Sequence, residues 1–97
     1  MLEKFPQAIF AFADSTAIGA IKRLHERGIS VPGDISVMGF DNTAVSEMCL
    51  PSITTVAQPQ YEIGWKAMEL LINKLNGVHK LKNIILPHRL IQRDSVQ

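Results

Sequence analysis

The apolar positions of this chain switch between strand-like runs and helical spacing. Ala8-Ile9-Phe10-Ala11-Phe12-Ala13 is an unbroken apolar run bounded by Pro6 and Asp14. It is too short for a buried helix and predicts a strand covered on both faces. Asp14-Ser15 then offers a helix N-cap, a side-chain oxygen for the unpaired amides of a first turn. Ala17, Ala20, Ile21 and Leu24 follow at helical spacing and predict its buried face, with Ile18 at the edge. Gly28 closes that helix and Pro32 bars a restart. Ile35 to Phe40 reads as a second strand. Strand, helix and strand within this length make a βαβ unit, with a right-handed crossover and parallel strands.

Thr43 to Leu50 is open between a short helix and a loop, ended by Pro51. Ile53-Thr54-Thr55-Val56-Ala57 is rich in β-branched residues and predicts a third strand. Gln58-Pro59 stops it and suits a junction between two packed units. From Tyr61 to Leu75 the period is helical again: Gly64, Ala67, Met68, Leu71, Ile72 and Leu75 fall on one stripe. Asn76-Gly77 ends it. Asn83 to Leu86 predicts a fourth strand, interrupted by Pro87, and Arg89 to Arg93 a half-exposed edge strand. The tail after Asp94 is expected to be loose. The fold class that follows is α/β, with a parallel open sheet.

Composition narrows the function classes. The chain has 97 residues, 46% hydrophobic and 20% charged, which is ordinary for a globular domain. Its net charge is +1, from 10 basic and 9 acidic residues, with no Lys/Arg cluster to grip nucleic-acid phosphates. Cys49 is the only cysteine, so no internal disulfide is possible and a reducing compartment is suited. No run is long enough to cross a membrane. Met1 to Pro6 lacks the basic-then-apolar pattern of a secretory signal. A cytoplasmic setting is expected.

The candidate chemistry lies where strands end. Asp14 follows the first, Asp41-Asn42 the second and Gln58 the third. In open α/β sheets, ligands bind beyond the carboxyl ends of the strands, so parallel neighbours would bring these groups to one rim. Carboxylates and amides suit the hydroxyls of a sugar. Asp41 is the first candidate, with a turn-forming Asx role as the alternative. For Asp14 the N-cap role is the alternative, and for Gln58 a hinge. Nucleophilic catalysis finds little support. Cys49 sits in the apolar phrase Met48-Cys49-Leu50-Pro51 and reads as a small buried hydrophobe. His25, His79 and His88 lack metal-ligand spacing, and no glycine-rich phosphate loop is present. Gly19 reads as a close-packing point. No enzyme activity, metal or cofactor is expected.

Four phrases occur in a specific order: Ala8 to Gly19, Gly28 to Asn42 with Val31-Pro32-Gly33-Asp34-Ile35-Ser36-Val37-Met38-Gly39-Phe40-Asp41-Asn42 at its heart, Pro51 to Pro59, and Leu86 to Ser95. Together they resemble the C-terminal part of the effector-binding domain of lactose/galactose-repressor (LacI/GalR) type transcription regulators. The resemblance implies a piece of a Rossmann-like, type I periplasmic-binding-protein fold, in which two α/β subdomains enclose the effector. Residues 1–57 and 88–97 would belong to the C-terminal subdomain. Residues 58–87 would be a crossover and a piece of the N-terminal subdomain.

The resemblance also implies roles. Asp41, Gln58, Asp14 and the position of Ala13 would lie at the effector site. Ala13 stands where the family often carries Asn or Thr. Ile18, Met48, Cys49 and Leu50 would form a homodimer interface. The implied effector is a sugar or sugar phosphate. Operator DNA would be read only through a helix-turn-helix headpiece, which no stretch here resembles. The alternative is a transport-type sugar-binding protein of the same fold.

Overall fold

A computed structural model describes residues 6–80 and 82–97. Along the chain it forms β1 (Ala8–Phe10), α1 (Asp14–Glu26), β2 (Ser36–Met38), α2 (Ala44–Met48), β3 (Thr55–Ala57), α3 (Gln60–Leu75) and β4 (Arg89–Ile91). The chain divides into two units, Met1–Ala57 with Arg89–Gln97, and Gln58–His88.

The first unit is built on the βαβ pattern. β1 and β2 are parallel, with Ala8 opposite Ser36, Ile9 opposite Val37 and Phe10 opposite Met38. The ladder runs on past the strand ends. The Ala11 amide donates to Met38 O at 2.8 Å, Gly39 N to Thr54 O at 2.9 Å and Asp41 N to Val56 O at 2.9 Å. A parallel bridge between Met38 and Thr54 thus sets β3 beside β2. β4 pairs antiparallel with β3, Thr55 opposite Ile91 and Ala57 opposite Arg89. Ala11, Ala17, Ile21, Ile35, Val37 and Ile53 form the core between α1 and one face of this sheet. The apolar stripe of α1 explains its docking. Gly28 ends the helix with φ +75°, a left-handed conformation that costs glycine little.

Several expectations need correction. β1 is covered on one face only: Ile9 and Ala11 turn inward, while Phe10 and Phe12 are exposed, Phe12 to 81%. An apolar run reports that both faces can be buried, not that this chain supplies both covers. The C-terminal tail is not loose. Ser95 is fully buried and its hydroxyl donates to Val37 O and accepts from Thr54 N, while Val37 N donates to Ser95 O at 2.9 Å. Polar residues there looked like a solvated end, but they pair with strand backbone. Gly19 is not a packing point: among the described residues nothing lies within 4 Å of where its Cβ would stand.

In the second unit α3 is a regular helix of 16 residues with none of them buried. Residues 82–88 form no strand, contrary to the expectation for Asn83 to Leu86. A strand needs a partner for its backbone groups, and none occurs among the described residues of this unit. Instead Ile84 and Leu86 line a groove with Ile63, Ala67 and Leu70 of α3. Lys66 lies 3.6 Å from Glu69 and 5.1 Å from the centre of the Trp65 ring.

Candidate functional site

The corner after β2 carries two polar residues on left-handed backbone. Asp41 and Asn42 have φ +95° and +53°. Left-handed backbone is uncommon outside glycine, and Asp and Asn tolerate it best. Asp41 N is tied to Val56 O at 2.9 Å and Asn42 N to Thr55 Oγ1 at 3.2 Å. Asp41, half-buried, therefore stands at the carboxyl end of a parallel ladder, on a backbone held by β3.

Asp14 departs from its expected N-cap role. Ala13 is the N-cap, with extended backbone (φ −149°, ψ 150°), and no side chain among the described residues caps the helix. Asp14 is the first helical residue, fully buried, and its carboxyl turns across to the corner. Its Oδ2 accepts from Thr43 N at 2.7 Å and from Thr43 Oγ1 at 3.0 Å, and its Oδ1 accepts from Thr55 Oγ1 at 2.7 Å. Three donors converge on an acceptor-only group, as burial requires. Asp14 thus belongs to the interior framework of the corner, not to its rim. Gly39 makes this possible. A Cβ there would collide with Asp14 Oδ1, and would lie 3.1 Å from Asp14 Cα and 3.2 Å from Ile53 Cγ2.

Arg93 completes the framework and was missed by the sequence reading. Its guanidinium donates to Asn42 Oδ1 at 2.8 Å, Ser46 Oγ at 2.7 Å and Ile53 O at 3.0 Å. An arginine at the end of an alternating segment reads as solvent-facing. The available signal was the polar residues set among apolar ones, Ser46, Thr54 and Thr55, all buried and needing partners.

The other candidates fall into two places. Gln58, half-buried, lines the groove of the second unit with Lys66 and His88. Ile18, Cys49 and Leu50 line a groove of about 380 Å³ on the first unit, with Ile21, His25 and Val31. Leu50 is 94% exposed and Met48, outside that lining, 78%. Cys49 is only half-buried, with its Sγ 3.5 Å from Ser46 O and 3.4 Å from Pro51 O. No group of three or more potential metal ligands occurs among the described residues.

The family model for the periplasmic binding protein-like domain matches residues 1–96. The chain belongs to this family. Within it, the chain corresponds to part of the effector-binding domain of LacI-family regulators, as the sequence phrases implied. It is 45% identical over 74 residues to the HTH-type transcriptional repressor CytR of Escherichia coli K12, covering 76% of this chain and 22% of CytR. A LacI transcriptional regulator from Bacillus cereus subsp. cytotoxis superimposes with a TM-score of 0.92 at 34% identity, over 99% of this chain and 34% of that one. A LacI-family regulator from Enterococcus faecium with bound ribose gives 0.83 at 33% identity, over 97% and 35%. This periplasmic-binding-protein-like chain thus spans about a third or less of these relatives. These relatives are transcription regulators rather than enzymes.

Proposed function

We propose that this chain supplies part of the effector cleft and a homodimer surface of a LacI/GalR-type transcription regulator. The observation that carries the reading is Asp41, set at the carboxyl end of the parallel ladder on a backbone bonded to Val56 and Thr55. Its carboxyl would accept hydroxyls of a sugar or sugar phosphate. Ala13 would border the site without a polar contact of its own. Asp14 would act only from the interior. Residues 1–57 and 88–97 would be the family's C-terminal subdomain, and residues 58–87 a crossover and a piece of the N-terminal one. The groove at Ile18, Cys49 and Leu50, with Met48 beside it, would receive a second copy. Operator DNA would be bound by a headpiece elsewhere in the parent, in the cytoplasm.

The alternative is a transport-type sugar-binding protein of the same fold, but the 45% identity to the repressor CytR favours the regulator. Titration of the ¹⁵N-labelled chain with D-ribose tests the reading. Amide shifts confined to Asp41 and Asn42 are expected, and weakened about tenfold or more in Asp41→Ala, the worth of one hydrogen bond to a charged group. Shifts scattered elsewhere, or none with any of a panel of pentoses, hexoses and their phosphates, would remove the effector role.

A further inference from the structure

Two side chains from opposite ends of the sequence brace the same corner. Asp14 reaches it through Thr55, whose hydroxyl donates to Asp14 Oδ1 at 2.7 Å and accepts from Asn42 N at 3.2 Å. It reaches it again through Thr43, which follows Asn42 in the chain and gives Asp14 Oδ2 both its amide and its hydroxyl. Arg93 reaches it through Asn42 Oδ1 at 2.8 Å. Arg93 thus holds Asn42, the residue after Asp41, while the Asp14 amide donates to Phe40 O, in the residue before it, at 3.1 Å.

We infer that Asp14 and Arg93 are positioning residues, which fix the left-handed Asp41–Asn42 backbone and so aim the Asp41 carboxyl. The amides of Asp41 and Asn42 are both bonded to β3, so the backbone on each side of the Asp41 side chain is pinned. Little freedom then remains to be lost on binding, which is the physical content of a preorganised contact. Arginine fits the task because its planar fork serves three acceptors on three segments at once: the corner at Asn42, α2 at Ser46 and the approach to β3 at Ile53. A lysine ammonium is a single point and cannot span them. The inference rests on Asp41 as the effector contact, but its geometric half stands without any effector.

The test uses the 97-residue chain with Arg93→Ala, Arg93→Lys and Asn42→Gly. The readouts are amide exchange and the backbone scalar coupling at Asp41 and Asn42, with D-ribose titrated in parallel. Arg93→Ala should speed exchange at Asn42 about tenfold, as for loss of one hydrogen-bonded restraint. The amides of Val37 and Ile21 should keep their protection. Guanidinium added far below denaturing concentrations should restore the corner in Arg93→Ala, whereas Arg93→Lys should not. Asn42→Gly keeps left-handed backbone accessible and leaves the Arg93 bonds to Ser46 and Ile53. It should loosen Asp41 in the same way, and it carries the test if Arg93→Ala fails to fold. An unchanged corner in Arg93→Ala and Asn42→Gly would overturn the positioning role. A loosened corner with undiminished ribose shifts at Asp41 would also overturn it. A corner that loosens in variants of a chain that never responds to sugars would instead sink the effector reading and leave the geometric assignment intact.

Discussion

Individual polar residues hold the sheet of the first unit together more than their types suggest. Gly39 is required because Asp14 passes against its backbone, with Asp14 Cα 3.1 Å and Ile53 Cγ2 3.2 Å from a Cβ built there. The backbone of α1 cannot yield cheaply, so Gly39→Ala should destabilise the chain by about 1–3 kcal/mol, as for overpacking. Urea unfolding would show this as a lower midpoint at unchanged slope. Ser95 joins two strands, accepting from Thr54 N at 2.9 Å and donating to Val37 O. Ser95→Ala leaves the Thr54 amide buried without that acceptor, at a cost of about 1–3 kcal/mol. A stability equal to the parent chain's would mean that water replaces the hydroxyl.

The elements differ in what supports them. α1 carries its apolar stripe into a core with Ala17 fully buried. α3 has a stripe of similar quality, yet Met68, Leu71, Ile72 and Leu75 are all exposed. Most helical stability in proteins comes from packing of such a face, and a helix of this length is marginal without it. Native-state amide exchange should therefore find α3 opening at far lower cost than α1, within a few RT of free exchange. Equal protection of the two helices would show that α3 is covered in solution. The strands are short, three residues each, and their ladder is completed by loop backbone such as Ala11 and Gly39. That explains why sequence runs of five or six residues gave strands of the right place but smaller extent.

For the whole molecule, the exposed apolar surface is the dominant fact. Leu50 is almost wholly exposed on a groove that it lines with Ile18, Cys49 and Pro51. If this surface seats a second copy, light scattering across a concentration series will give the mass of a dimer. Leu50→Glu would then raise the dimer dissociation constant at least tenfold, since a charge would be buried in an apolar contact. A monomer at all concentrations, with Leu50→Glu indistinguishable from the parent, would remove the interface. The net charge of +1 offers little repulsion against such pairing.

Apart from the strand expected at Asn83 to Leu86 and the stretch from Thr43 to Leu50 left open, the order of strands and helices, the α1 face and its glycine end were legible in the sequence, because they depend on local periodicity and backbone preference. The position of Asp41 beyond a strand end was legible for the same reason. The βαβ pattern likewise foretold parallel β1 and β2, through the handedness of short crossovers. The partners of Asp14, Arg93 and Ser95 were not legible. Each bonds to residues distant along the chain, Asp14 to Thr55, Arg93 to Asn42 and Ser95 to Val37. No local pattern distinguishes a polar side chain that caps a turn or faces water from one that crosses a core. Only the packed arrangement of the strands, which removes water from these groups, determines which acceptor each donor must find.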